Sequence, residues 1–359
     1  MKYIDEYRDR EKVRTLAELI KKTSRKEVAF MEVCGGHTMA IQKFGIPSLL
    51  PDNVRLISGP GCPVCVTGRN YIDRAVAYSR LRDVIITTYG DLIRVPGSTS
   101  SLDNEKARGA DIRIVYSILD ALSVARDNPA KKVVFLGIGF ETTSPATAAG
   151  ILNAGKEGLG NFYVYSAHKV MPPAMEALID EGVKIDGYIA PGHVSTITGT
   201  EMYNSIPEKF GLGCVISGFE PVDLLQSVYM LVKQIESKKP AVEIQYKRAV
   251  RNEGNLKAKA MLDEVFELRD DWWRGLDVLK NSGMGIRNKY ASFDAEKQLY
   301  VEVEPTLEEK GCICGEVLKG LKTPKDCRLF ATVCDPSNPV GACMVSNEGA
   351  CHAFYRYNR

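Results

Sequence analysis

Short apolar, β-branched runs, each closed by a turn and followed by a segment at helical spacing, recur along the chain, and this alternation constrains the fold more than any other feature. Residues 28–33, 54–58, 84–88 and 112–116 form one set of such runs, and residues 132–138, 162–166, 187–190 and 214–217 form a second. Strands that alternate with helices run parallel and are covered on both faces, so the expected class is α/β with open parallel sheets. Residues 28–38 and 133–143 share the same strand, the same turn and a closing threonine, and residues 114–122 parallel residues 215–225. Two related α/β domains are therefore expected, over residues 24–118 and 119–240. Residues 7–22 are expected to form an amphipathic helix with Val13, Leu16, Leu19 and Ile20 on one face. Residues 241–251 read as an extended crossing segment, 255–266 as a helix, and 270–275 and 282–287 as irregular. Residues 1–23 and 241–359 together make the expected third domain, smaller and mostly helical.

Composition narrows the function. With 47 basic and 45 acidic residues scattered along the chain, the net charge is only +2, which leaves no nucleic-acid footprint. No apolar run approaches a membrane span, and the first ten residues are too polar for a signal peptide, so a cytoplasmic location is expected. Ten cysteines in that setting point to metal or redox chemistry instead of a disulfide framework.

In open α/β sheets, functional loops sit at the carboxyl ends of the strands. Cys34-Gly-Gly-His37 occupies one such end. There the start of a helix favours a thiolate, so Cys34 is expected to ionise more easily than an ordinary cysteine, a buried and inert thiol being the alternative. Gly59-Pro-Gly-Cys62-Pro-Val-Cys65 holds a C-x-x-C pair on a tight loop. Such a pair forms a reversible disulfide or half a zinc site, for which Cys34 and His37 would complete the set; the redox role is favoured. Glu141 lies in Gly139-Phe-Glu-Thr-Thr143, His168 in Ser166-Ala-His-Lys169, and His193 in Pro191-Gly-His-Val-Ser195. Three histidines at strand ends suggest a cleft shared between the domains.

The remaining cysteines crowd the C-terminal end, apart from a solitary Cys214. Fourteen residues separate Cys312 from Cys327, six separate Cys327 from Cys334, and sixteen separate Cys334 from Cys351. Four thiolates drawn from loops suit a [4Fe–4S] cluster, whereas a four-cysteine zinc site usually uses two close C-x-x-C pairs. Cys314 and Cys343 are left over and can form a disulfide beside the cluster.

Taken together, Cys34-Gly-Gly-His37, the Cys62–Cys65 loop, Gly139-Phe-Glu-Thr-Thr143, Pro191-Gly-His-Val-Ser195 and the C-terminal cysteine spacing closely resemble the HypD family of [NiFe]-hydrogenase maturation proteins, along essentially the whole chain. The resemblance implies a three-domain assembly scaffold with redox activity. In that family the scaffold, with a HypC-type chaperone, holds iron while an Fe(CN)2CO centre is assembled with cyanide from a HypE-type donor. Carried onto this chain, Cys34 is the transient iron ligand and Cys62 and Cys65 are a redox pair beside it. Cys312, Cys327, Cys334 and Cys351 are the [4Fe–4S] ligands, with Cys314 and Cys343 as the adjacent disulfide. His37, His168 and His193 are then candidates to donate protons or hydrogen bonds to cyanide nitrogen, and Glu141 to orient one of them. The competing reading is a self-standing thiol oxidoreductase resembling ferredoxin–thioredoxin reductase.

Overall fold

The computed structural model describes residues 2, 4–307 and 309–358. Its centre is a pair of all-parallel sheets. The first has the order β2-β1-β7-β8-β9, from Val54–Ser58, Val28–Glu32, Gly187–Pro191, Gly213–Ser217 and Val242–Ile244. The second has the order β4-β3-β5-β6, from Ile112–Ile114, Val84–Thr88, Lys132–Gly139 and Phe162–His168. Both are α/β layers, and their central strands are buried on both faces, as continuous rather than alternating apolar runs require.

The two sheets are interleaved in the chain. β1 and β2 start the first sheet, the chain then leaves to build all of the second, and it returns to finish the first with β7, β8 and β9. A division at residues 118 and 119 therefore cuts through the second sheet, between β4 and β5. The two sheets do share a plan: β1 with β2 corresponds to β3 with β4, and β7 with β8 to β5 with β6. The sequence likeness of residues 28–38 to 133–143 pairs β1 with β5, which hold different places in that plan. Similar strand–turn–helix composition accounts for that match, because any buried parallel strand entering a glycine turn uses the same few residue types.

Helix α1, Arg10–Thr23, begins one residue after Asp9, whose carboxylate accepts the Lys12 N–H at 3.0 Å as an N-cap. Its apolar face, Val13, Leu16 and the fully buried Ile20, packs into a cluster with Leu224, Val228 and Leu231 of the helix Pro221–Ser237. It thus covers the first sheet and does not join the C-terminal region.

That region also departs from the helical expectation. After the helix Leu256–Val265 the chain forms a long antiparallel hairpin, β10 at Phe266–Trp273 and β11 at Asp277–Ile286, with a bulge between Arg269 and Asp271. Asp270, Asp271 and Asn281 and the glycines 283 and 285 are poor strand formers, so local propensity gave no strand signal. Tertiary partners hold it instead. The buried Lys169 donates to Asp271 at 2.9 Å and to the Trp272 carbonyl at 2.8 Å. The Ser166 hydroxyl donates to Met284 O, and Val170 N–H donates to Ser282 O.

Candidate functional site

Each sheet has one place where the chain first goes to one side and later to the other: between β1 and β7, and between β3 and β5. Such switch points open crevices at the carboxyl ends of parallel strands. Here the two crevices face one cleft of about 680 Å3. Cys34 and His193 line it from the first sheet, and Asp91, Phe140, Thr142 and Thr143 from the second, while Glu348 arrives from the C-terminal segment.

Cys34 stands two residues beyond β1, in extended conformation, at the N-cap position of helix α2, Gly35–Lys43. Its neighbours need glycine. A Cβ on Gly61 would lie 2.1 Å from Cys34 N, and one on Gly35 would lie 2.5 Å from the Glu348 Cβ. The Gly59-Pro-Gly61 loop thus runs directly against the β1–α2 turn, joined to it by a 2.9 Å bond from Gly35 N–H to Gly61 O. Beneath the thiol, buried Glu32 accepts the Cys34 N–H at 3.2 Å and the Thr38 hydroxyl at 2.5 Å. Burial raises its carboxyl to about 8. A lone Glu inside the run Val28-Ala-Phe-Met-Glu32 was the only sequence sign of it.

The expected ease of ionisation at Cys34 does not hold. Burial, then the charge of Glu348, pushes the thiol up to about 12. The amides of His37 and Gly36 act in the opposite direction, so the helix start does favour the thiolate but loses to desolvation and nearby carboxylates. A bound cation would reverse that balance, since a metal deprotonates its own thiol ligand.

The histidines separate. His193 lines the cleft, its ring stacked on Phe219 at 3.9 Å. His37 stacks on the other side of Phe219 at 4.5 Å but is fully buried, its Nε2 on Gly218 O at 3.0 Å and Ser217 O at 3.3 Å. Burial holds it down to about 4, so it is a neutral donor to two carbonyls, and it forms no metal-holding group with Cys34, Cys62 and Cys65 among the described residues. His168 is also fully buried, bonded through Nε2 to the Thr147 hydroxyl at 2.9 Å and held down to about 3. Glu141 orients no histidine: it accepts the Met171 N–H at 3.1 Å and faces a different cavity, behind the cleft loop. A strand-end position fixes which end of a sheet a residue occupies, not which side of the loop it faces.

The Cys62–Cys65 pair sits on helix α3, a single turn at Pro63–Val66. The two sulfurs are 2.6 Å apart, both buried in the core. Cys343 approaches them from the C-terminal end, the carbonyl of the preceding Ala342 lying 3.9 Å from Cys65 Sγ, and its thiol feels those of Cys314, Cys351 and Cys65. Those contacts, Cys314 first, pull Cys343 below the ordinary thiol range and push Cys65 and Cys351 above it. Cys312 contacts Cys314 in turn, and Cys334 lies within their electrostatic reach. Gly341 leaves room for both, since a Cβ there would lie 2.5 Å from Cys314 Sγ and 2.7 Å from Cys312 Sγ. Cys327, half-buried, lies with its Sγ 3.9 Å from Gly311 O, beside Cys312. Cys214 is sealed inside β8 and joins neither group. Among the described residues no three His, Cys, Asp or Glu side chains are arranged to hold one metal ion. The tail offers an all-sulfur donor set, with Cys312, Cys327 and Cys334 on irregular backbone and Cys351 in the helix Ala350–Tyr357, and sulfur-only ligation is what a cluster that brings its own inorganic core takes.

Comparison with known proteins agrees with this arrangement of motifs. The family profile described as "HypD: Hydrogenase formation hypA family" matches residues 11–358. The chain belongs to the HypD family. It is 49% identical over 370 residues to hydrogenase maturation factor HypD2 of Bradyrhizobium diazoefficiens, covering all of this chain and 97% of that one. It is 48% identical over 369 residues to hydrogenase maturation factor HypD of Azotobacter vinelandii, with 100% and 97% covered. It is 45% identical over 368 residues to HypD of Escherichia coli, with 100% and 99% covered. No described helix of this HypD-family chain is long and apolar enough to cross a membrane.

Proposed function

We propose that this chain is a hydrogenase maturation scaffold of the cytoplasm. It holds iron at Cys34 jointly with a HypC-type chaperone while an Fe(CN)2CO centre is built with cyanide from a HypE-type donor. The cleft supports the first part: Cys34, partly buried, lines it together with Asp91, Glu348 and His193, and carboxylates at the mouth attract a cation. His193 is the histidine in reach of a ligand on that iron.

A [4Fe–4S] cluster on Cys312, Cys327, Cys334 and Cys351 would supply electrons to the thiols. The observation that carries this part is the position of the segment around Cys343: the carbonyl of Ala342, the residue before it, lies 3.9 Å from Cys65 Sγ, and Gly341 packs against the sulfurs of Cys314 and Cys312. Two electrons and two protons open a Cys314–Cys343 disulfide to two thiols. The Cys343 thiolate then attacks Cys65 of an oxidised Cys62–Cys65 pair and expels Cys62 as a thiolate. Attack of Cys314 on Cys343 releases Cys65, leaving the front pair reduced and the tail pair oxidised.

The same sulfur chain would serve a stand-alone thiol reductase, and Cys34→Ala separates the readings. A scaffold loses iron from its anaerobic complex with the HypC-type partner, together with the infrared cyanide and carbonyl stretches. A reductase keeps its disulfide chemistry and has no such bands to lose.

A further inference from the structure

α3 is one turn long, and a turn that short leaves its carbonyls without intrahelical donors. The hairpin tip supplies them. Arg274 N–H donates to Val66 O at 2.9 Å, Nε to Cys65 O at 3.0 Å and Nη2 to Thr67 O at 3.0 Å. The side chain is buried, and its positive charge also acts on Cys312. On either side of it the tip makes two further junctions. Trp273 meets Phe140 of the cleft loop with rings 5.9 Å apart. Gly275, at φ +86°, packs so tightly on the residue after Cys314 that a Cβ would lie 2.6 Å from Gly315 O. Three consecutive residues thus touch the cleft loop, the C-x-x-C turn and the tail.

We propose that Arg274 is a positioning residue whose forked guanidinium clamps the C-x-x-C turn so that Cys65 stays within reach of Cys343. This rests on the reading of Cys65 and Cys343 as the junction between the two sulfur systems. A planar fork spans two carbonyls at once, whereas a lysine ammonium presents its donors from one point.

The test uses the full-length chain, purified without oxygen and carrying Cys62→Ser and Cys314→Ser, so that Cys65 loses its alternative partner and Cys343 keeps only Cys351 besides Cys65. Diamide takes two electrons and two protons from each pair it links, and mass spectrometry after non-reducing digestion measures the Cys65–Cys343 link separately from any Cys343–Cys351 link. The link is expected to form, and adding Arg274→Ala should lower its yield about tenfold. Guanidinium ion far below its denaturing range should restore the yield, and sodium chloride should not. An unchanged yield in Arg274→Ala, or a loss that guanidinium does not repair, overturns the clamp. If Arg274→Ala does not fold, Arg274→Lys should still cost several-fold, and an unchanged yield there overturns it equally. Absence of the link in the chain with Arg274 intact instead overturns the junction reading itself.

Discussion

Cys34 is a single thiol among carboxylates, whereas Cys343 is a thiol among thiols, and the contrast shows how one element is put to two uses. Around Cys34, glycine turns bring backbone and Glu348 close and leave the sulfur protonated until a cation arrives. Around Cys343, neighbouring S–H groups share their protons with one sulfur and make it the easiest of them to ionise. The first setting suits ligation and the second exchange.

The contrast breaks most severely at Gly61. Gly61→Ala puts a methyl group onto the Cys34 backbone, and the two sulfur systems should separate with a stability loss of about 3 kcal/mol or more, read from urea unfolding. Next in size, Cys343→Ser should slow reduction of the Cys62–Cys65 pair by electrons delivered at the tail about a hundredfold, in quenched alkylation followed by mass spectrometry. Alkylation of Cys34 should not change, and a parallel fall there would mean that the two settings are not separate. Glu348→Gln sharpens the cleft side. It removes a negative charge beside a thiol pushed up to about 12, so the thiol should ionise more easily and iodoacetamide labelling of Cys34 at pH 8 should quicken roughly threefold. The smallest effect belongs to Glu141→Gln. Burial raises this carboxyl from 4.5 to about 7, so the folded chain binds its proton more tightly than the unfolded one and loses stability as pH rises across that interval. The glutamine variant should be more stable than the parent at pH 8 and not at pH 4, measured by unfolding at each pH. Its Cys34 labelling should match the parent, because Glu141 faces the other cavity.

Strands and most helices were legible because each is written locally, as an apolar run or a 3.6-residue period. Which sheet a strand joins is decided by pairing between distant segments, and so the return of β7 beside β1 left no local mark. The hairpin was hidden for a related reason: Asp271 and Gly283 tolerate a strand only because Lys169 and the end of β6 hold them there. Cysteine and histidine motifs announced themselves by type, but not which of them meet: Cys62 and Cys65 lie together while Cys214 stays sealed in β8. The strand-end loop Tyr89-Gly-Asp-Leu92 marked Asp91, whereas Glu32, Glu348 and Arg274 carry no motif, and no spacing rule links residue 34 to residue 348.

The interleaved path also sets a timetable during synthesis. Cys34 leaves the ribosome well before the strand that flanks β1 on its other side, which follows more than a hundred and fifty residues later, and Glu348 comes later still. Until then the early thiol has no pocket around it, and a nascent or truncated polypeptide lacks the finished cleft.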